Sequence, residues 1–317
     1  MPPIEERLAL AERTMTALVS DADLPPKIAV HPRPAESFAH AMPAFLRGRS
    51  ADGSEDRLGM KWVMGFGAAN LERGLPAISA VVILSDAASG LPVAILDGGP
   101  ITAERTAAVS GVAIARYAPR IGGRATRAAL IGAGVQAHGH LPVIGHLLPG
   151  VTLAIHDRDP ARAASLAETA AATPGIGHAV VVATVRDATA DADVVVTAAS
   201  FTTPEGRQTL GSDALAPDAL VVPIDYATMI AAEVARSAAM FLVDDRGQFV
   251  ANRDAGHFDG YPDPAMTIGE AILAATPRPS TGRVVVTHLG VGLADVLFGD
   301  AILGRATAAG LGTVLPR

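Results

Sequence analysis

Residues 128–137 constrain the fold of this chain more than any other segment. An apolar run there ends in a Gly-Ala-Gly turn at Gly132 and Gly134, and Val135 and Gln136 follow where a helix is expected to begin. This is the G-x-G-x-x-G/A pattern of a strand–turn–helix unit that binds a dinucleotide. Gly132 allows the tight turn, and Gly134 lets the backbone approach a pyrophosphate at the free N–H groups of the helix start. An ordinary glycine-rich turn is the alternative.

The segment after this motif supports the dinucleotide interpretation. A second strand is expected over 151–156, and Asp157 follows it, 25 residues after Gly132. A carboxylate near this spacing accepts hydrogen bonds from the adenosine ribose and repels a 2′-phosphate. The sequence therefore predicts NAD, with NADP less favoured. Arg158 weakens that preference because its guanidinium could hold a 2′-phosphate; the alternative is a solvated arginine at a helix start.

Composition excludes several classes of protein. The 317 residues include no cysteine, so disulfides, thiolate metal sites and a catalytic thiol are excluded. A net charge of −7 without a basic run argues against nucleic-acid binding. No apolar segment is long enough to span a membrane, and no histidine spacing typical of a metal site occurs. We expect a cytoplasmic protein without a bound metal or a membrane anchor.

The pattern of strands and helices predicts two arrangements. Helices are expected over 4–19, 103–117 and 293–309, and strands over 28–31, 58–64, 77–84 and 92–97. From residue 126 onward strands alternate with helices, as in a doubly wound parallel sheet: strands over 126–131, 151–156, 180–182, 193–197, 220–224, 240–243 and 283–287, with helices over 135–147 and 160–171. The segment 247–264 is expected to be a polar loop.

Five polar residues are candidates for chemistry. Lys61 lies within an apolar strand, where a cation is costly unless an anion or water meets it. Arg33, between two prolines, and Arg105, expected at a helix start, could pair with a carboxylate. Thr106 suits a phosphate, and Asp225 follows a strand at the edge where open α/β sheets bind ligands. The alternatives are a solvent-facing lysine, a first-turn arginine and a helix-capping aspartate.

Taken together, these segments resemble the ornithine cyclodeaminase/μ-crystallin family over nearly the whole chain. The matching residues, in chain order, are Arg33, Met42-Pro43-Ala44, Lys61, Asn70, Gly74-Leu-Pro, Asp86, Ser89-Gly90-Leu-Pro, Thr102-Ala-Glu-Arg-Thr-Ala-Ala, Ile131-Gly-Ala-Gly-Val-Gln-Ala, Asp157-Arg-Asp, Asp225, Gly290 and Asp295.

The resemblance implies a fold and a division into domains. It implies an α/β homodimer with a Rossmann dinucleotide-binding domain over 119–292. A discontinuous α+β domain for substrate binding and dimerisation is implied over 1–118 and 293–317.

The resemblance also implies roles for individual residues. Arg33, Lys61 and Arg105 would hold the carboxylate of a small imino or amino acid. Lys61 and Asp225 would be catalytic and manage protons, and Thr106 would contact the cofactor phosphates.

The sequence departs from the family pattern at two places. Members specific for ornithine place a glutamate two residues before the Met-Pro pair, where this chain has His40. A carboxylate suits a second ammonium group on the substrate, whereas a histidine suits a second carboxylate. The chain also starts at what resembles the family's first helix, so we expect the usual opening strand to be absent or the start site to be shifted.

Three functions follow as expectations. The first is an NAD(P)H-dependent reductase of a small α-imino (ketimine) acid, reversible as an L-amino-acid dehydrogenase. His40 makes a dicarboxylic imine such as iminosuccinate one candidate substrate. The second is an ornithine or lysine cyclodeaminase that uses NAD catalytically. The third is a non-catalytic protein that binds NAD(P) and a small ligand.

Overall fold

The computed structural model describes residues 1–33 and 37–315, and only the backbone of Ala68. The helices are α1 Ile4–Ser20, α2 Gly67–Leu71, α3 Gly98–Tyr117, α4 Val135–Leu147, α5 Pro160–Ala171, α6 Val185–Thr189, α7 Ala232–Arg236, α8 Arg246–Asp254, α9 Ile268–Leu273 and α10 Gly292–Ala308. The strands are β1 Ala22–Asp23, β2 Ile28–Val30, β3 Phe38–Leu46, β4 Arg57–Gly65, β5 Ile78–Ser85, β6 Pro92–Asp97, β7 Arg127–Ile131, β8 Val151–His156, β9 Ile176–Val181, β10 Val194–Thr197, β11 Leu220–Pro223, β12 Met240–Val243, β13 Met266–Thr267 and β14 Val284–Thr287.

The chain is an α/β protein with two compact units. One comprises Met1–Arg105 and Gly290–Arg317, and the other comprises Thr106–Leu289. The division after Arg105 lies within α3. The division into functional domains at residues 118 and 293 remains a prediction. Among the described residues, no helix combines the length and the apolar character needed to cross a membrane.

The first unit is an antiparallel sheet with helices on one face. Strands β1, β3, β4, β5 and β6 pair in that order, and β2 pairs with β3. Helix α10 packs on β3, β4 and β5, with α1 beside it. Glycines permit this close packing: a Cβ on Gly292 would lie 2.4 Å from the Met42 carbonyl oxygen, and one on Gly299 would lie 3.2 Å from Val82.

Two sequence-based expectations for this unit need correction. Strand β3 was not expected, because Pro43 interrupts its pattern, although the strand pairs with β4 along all nine residues. Helix α3 begins at Gly98, five residues before its expected start at 103. Arg105 therefore lies inside the helix rather than at its start. The Thr102 hydroxyl, also inside the helix, donates to the Gly98 carbonyl 2.6 Å away.

The second unit is the predicted doubly wound parallel sheet. Its eight strands run in the order β13-β12-β14-β11-β10-β7-β8-β9, and all of the pairs are parallel. The chain passes from β7 to β8 on one side and reaches β10 on the other, so the topological switch point lies between β7 and β10. Open α/β sheets bind ligands at the carboxyl edge of such a point.

Local signals explain the boundaries in this unit. Asp159 caps α5, where its side chain accepts the Ala161 N–H at 3.0 Å and Pro160 takes the first helical position.

The prediction of a loop over 247–264 was wrong in its first half, because α8 occupies Arg246–Asp254. Asp245 caps that helix by accepting the Gln248 N–H at 2.7 Å, a signal that the polar composition obscured.

Candidate active site

Lys61 is buried in the middle of the antiparallel sheet. The chain has only two lysines, and Lys61 is 1% exposed. Side chains of β4 alternate between the two faces of the sheet, and Lys61 shares the face of Gly59 and Val63 that α10 covers. A lysine at this position needs a partner, because an unpaired ammonium is very costly to bury.

That partner is Asp295, in the first turn of α10. Lys61 Nζ donates to Asp295 Oδ1 at 2.9 Å and lies 2.8 Å from Oδ2. Arg105 Nε donates to Oδ1 at 3.2 Å, and Lys61 also reaches the Thr102 hydroxyl at 3.4 Å. We call Lys61, Arg105 and Asp295 the cation cluster; all three are buried.

The cation cluster has one more cation than carboxylates and keeps donors available. Arg105 makes no hydrogen bond through its η nitrogens to the residues that the structure describes. Both η nitrogens lie against Gly290, which has φ +81°, and a Cβ there would be 2.4 Å from Nη1. A buried excess positive charge with open N–H groups is suited to bind a carboxylate.

Burial also changes the acidity of Lys61. Desolvation, with the nearby Arg105 charge, lowers the pKa of Lys61 from 10.5 to about 7, although Asp295 opposes the shift. Lys61 therefore exchanges a proton near neutral pH. An anion bound beside it would favour the charged form and draw a proton onto the ammonium group.

The two other predicted substrate residues, His40 and Arg33, are not members of the cation cluster. His40 lies on the same sheet face as Lys61, since Met42, two residues on, pairs directly with Lys61. The His40 ring stacks on Phe38 with ring centres 4.5 Å apart. Arg33 is exposed, and the structure does not join it to the cation cluster, so its role as a carboxylate clamp remains a prediction.

Asp225 is buried after β11 in a strained turn. Tyr226 and Ala227 both have positive φ, at 53° and 60°, and the Thr228 N–H donates to the Asp225 carbonyl at 3.0 Å. Non-glycine residues in this conformation are costly, and such residues are enriched at functional sites. Asp225 is thus not the helix cap that the sequence left as an alternative.

The Asp225 carboxyl group is suited to hold a proton. Its Oδ2 accepts the Ala199 N–H at 3.3 Å, whereas Oδ1 accepts no hydrogen bond from the described residues. Burial raises the pKa of Asp225 from 3.8 to about 7. A carboxyl group that changes protonation near neutral pH is a candidate general acid and base.

The glycine turn adopts a conformation that only glycine allows at Gly132. Gly132 has φ +98°, and a Cβ there would lie 2.5 Å from the Ala198 carbonyl oxygen, so no other residue fits. Val135 is exposed at the first position of α4. Gln136 Oε1 is buried without a hydrogen-bond partner among the described residues.

Asp157 lies against the same turn. Its Oδ2 accepts the Ala133 N–H at 2.6 Å and its Oδ1 accepts the Asp159 N–H at 2.9 Å, so the carboxylate is fixed at the end of β8. Arg158 is exposed beside it, and Thr106 is buried in α3. Their contacts with a cofactor remain a prediction.

Sequence reasoning missed two residues of these sites. Asp295 was matched to the family but given no role, because its partners are 190 and 234 residues away along the chain. Arg162 was not singled out, yet its Nη2 lies 3.3 Å from the position of a Cβ on Gly134. Its place in the first turn of the helix after Asp157 was the available signal.

Comparisons with known proteins agree with this architecture. The model of the ornithine cyclodeaminase/mu-crystallin family matches residues 2–222. The nodulation efficiency protein NfeD of Rhizobium meliloti is 30% identical over 296 residues, 92% of this chain and 87% of that protein. The ketimine reductase mu-crystallin of Mus musculus is 26% identical over 301 residues, 94% of this chain and 88% of its own.

A solved structure matches the fold of the chain. The Δ1-pyrroline-2-carboxylate reductase of Thermococcus litoralis, in complex with NADH and L-proline, has a TM-score of 0.84. It covers 99% of this chain and 96% of its own at 21% identity, which shows the fold alone. The family model and the NfeD relative carry the family assignment: the chain belongs to the ornithine cyclodeaminase/mu-crystallin family.

Proposed function

We propose that the chain is an NAD-dependent reductase of a small α-imino acid that forms an L-amino acid and can run in reverse as a dehydrogenase. The cation cluster is the observation that carries this proposal. Two buried cations share one buried carboxylate, Asp295. Arg105 reaches it through Nε, so its η nitrogens would be available for the carboxylate of a substrate. A non-catalytic binding protein would not need the buried proton-carrying Asp225 as well.

The residues would divide the chemistry between them. Arg105 and Lys61 would hold the substrate carboxylate and so orient the C=N bond. Bound NADH supplies the hydride that reaches the imine carbon. The neutral Asp225 would give its proton to the imine nitrogen, directly or through water, and in the reverse direction its carboxylate would take a proton from the ammonium group. Orientation by the carboxylate would contribute several kcal/mol.

The named activities of the relatives support reduction over cyclisation. The mouse relative is named a ketimine reductase, and the Thermococcus protein a pyrroline-carboxylate reductase. A cyclodeaminase needs a partner for the second ammonium group of ornithine. At the position where ornithine-specific members of the family place a glutamate, this chain has His40, which suits an anion when it is protonated.

A cofactor balance separates the two activities. The purified protein is incubated with NADH and a set of small α-keto acids, including oxaloacetate, in ammonia or methylamine, with absorbance at the NADH band as the readout. We expect net NADH consumption and an amino-acid product. Proline formed from ornithine without net change in NADH would instead establish the cyclodeaminase, and no turnover with any member would contradict both.

Asp157 is expected to select NAD over NADP. Replacing Asp157 with alanine should weaken NADH binding about tenfold, since a charge-assisted contact to the ribose is lost, and should change NADPH binding little. Fluorescence titration with both nucleotides measures this. Asp159→Ala is the matched control, because Asp159 caps α5 and is expected to leave both affinities within twofold. Equal losses for both nucleotides in Asp157→Ala would contradict the ribose assignment.

We also propose that two copies of the chain pair through the outer face of the antiparallel sheet. The face opposite α10 carries Trp62, Ile28 and Ile95, and Ile95 is 63% exposed. An apolar sheet face of this kind is typical of a self-complementary dimer interface. Trp62→Asp is expected to give a monomer by light scattering, whereas an unchanged mass would exclude this face.

The remaining parts of the proposal concern partners and location. A net charge of −7 without a basic run supports small-molecule substrates rather than nucleic acid. The absence of cysteine from the sequence suits the reducing cytosol.

A further inference from the structure

A buried chain of imidazole and hydroxyl groups crosses the parallel-sheet unit. Ser110 Oγ, on α3, lies 2.8 Å from His140 Nε2, on α4, and 2.9 Å from His288 Nε2, directly after β14. All three side chains are buried. None of them is needed for the chemistry proposed above, and two buried histidines bonded to one hydroxyl require an explanation.

The contacts determine the direction of the two hydrogen bonds that Ser110 makes. His140 Nδ1 is 2.6 Å from the Gln136 carbonyl oxygen, which can only accept, so Nδ1 carries the hydrogen. Burial lowers the pKa of His140 to about 4, so the ring is neutral and Nε2 must accept. Ser110 therefore donates to His140, and its oxygen accepts the Nε2–H of His288.

One end of the chain is the glycine turn. Gln136 is the second residue of α4, and its carbonyl accepts the His140 side chain four residues later. Gln136 also carries the buried Oε1 without a partner in the described residues. The His140 ring thus fixes the first turn of the helix whose N-terminus is expected to meet the cofactor phosphates.

The other end is the turn that holds Asp225. His288 is followed by Leu289, whose N–H donates to Asp244 Oδ2 at 2.9 Å. The Leu289 carbonyl accepts the Tyr226 hydroxyl at 2.7 Å. Tyr226 is the strained residue next to Asp225. Hydrogen bonds therefore run from the glycine turn, through Ser110, to the segment that supports the Asp225 turn.

We propose that Ser110, His140 and His288 are positioning residues that hold the glycine turn at a fixed place relative to the turn of Asp225. The inference rests on the proposed function in one respect: there, the fixed distance between the two turns would align the cofactor with Asp225 as the proton donor. Ser110 donates to the neutral ring of His140 and accepts from His288, so both hydrogen bonds of its hydroxyl have one direction. We assign this hydrogen-bonded chain a role in geometry rather than in proton transfer.

The test is Ser110→Ala with NADH binding as the first readout. The substitution leaves His140 Nε2 and the His288 N–H without their shared partner, so we expect NADH affinity to fall about tenfold. Thr189→Val is the matched control. It removes another buried hydroxyl of the same unit, which donates to the Ala214 carbonyl at 2.7 Å, and it should lower the melting temperature without changing NADH affinity.

Two further measurements separate positioning from the alternatives. The pH dependence of kcat in Ser110→Ala should keep the midpoint of wild type, because a positioning role moves no proton in turnover. A displaced or missing limb would mean that the histidines exchange protons in turnover. Tyr226→Phe should weaken NADH binding about threefold, and Ser110→Ala with Tyr226→Phe should weaken it by less than the product of the two.

The outcomes that overturn the inference do not depend on an imine substrate. NADH affinity in Ser110→Ala equal to that of Thr189→Val would show that the chain only stabilises the fold. Losses that multiply in the double variant would show that the two ends are independent. Because NADH binding is measured without any imine, failure of the reductase proposal would be seen separately, as binding without turnover.

Discussion

Replacing Lys61 with methionine is expected to lower kcat/KM for imine reduction at least about 10³-fold while NADH binding stays within twofold of wild type. Methionine keeps the length and the apolar stem of lysine but removes the charge that we propose binds the substrate carboxylate. A buried, charge-assisted contact that is lost in this way costs several kcal/mol. Steady-state kinetics and an NADH titration on the same preparation measure the two quantities.

The stability of this variant should move in the opposite direction to its activity. Without Lys61, Asp295 still pairs with Arg105, so the cation cluster becomes neutral and its excess positive charge is gone. We expect the free energy of unfolding to be unchanged or raised. The other lysine of the chain provides the matched control, and Lys27→Met should retain turnover. Wild-type rates in Lys61→Met would refute the proposed site.

The parallel-sheet unit could be predicted from sequence because its signals are local. The ends of α4, β8 and α5 agree with the expected 135–147, 151–156 and 160–171. Each boundary has a nearby physical cause, such as Gly132 at the turn or Asp159 and Pro160 at the start of α5. Strands that are buried on both faces also read as continuous apolar runs, which are easy to recognise.

The antiparallel unit and its charges could not be read in the same way. Strand β3 contains Pro43 and follows a proline-rich segment, so its alternation was hidden until its pairing with β4 was seen. In the cation cluster, Lys61 and Arg105 contact Asp295, which is far from both along the sequence. No local sequence pattern indicates such a contact. Sequence reasoning found the two cations from their cost of burial or their motif, but not the carboxylate between them.

Replacing Asp225 with asparagine is expected to lower kcat by about 10²–10⁴-fold, the usual contribution of a positioned general acid. Asparagine keeps the size of the side chain but has no proton to exchange. Wild-type reduction should be fastest below the pKa of about 7 and fall as the pH rises through it, since both Asp225 and Lys61 lose their protons there. The Asp225→Asn variant should lose the part of this dependence that belongs to the carboxyl group.

The same substitution should stabilise the protein at alkaline pH. Asp225 binds its proton more tightly when folded, with a pKa of about 7 against 3.8, so its contribution to stability is present below 3.8 and is lost as the pH rises through 7. Three units correspond to about 4 kcal/mol. Denaturant unfolding at pH 4 and at pH 8 measures this. The free energy of unfolding of Asp225→Asn, relative to that of wild type, should be higher at pH 8 than at pH 4 by about this amount.

The control for this stability gain is a carboxylate outside the site. Asp263 has a side chain that is 82% exposed, so Asp263→Asn should follow wild type in unfolding at both pH values and in turnover. We expect Asp225→Asn, but not Asp263→Asn, to gain stability and to lose turnover. This result would mean that the buried, ionisable carboxyl group costs stability and is kept because the reaction needs its proton. Equal pH dependence of unfolding in Asp225→Asn and wild type would instead mean that Asp225 ionises as an ordinary aspartate does, and that the proton for the imine nitrogen comes from another group.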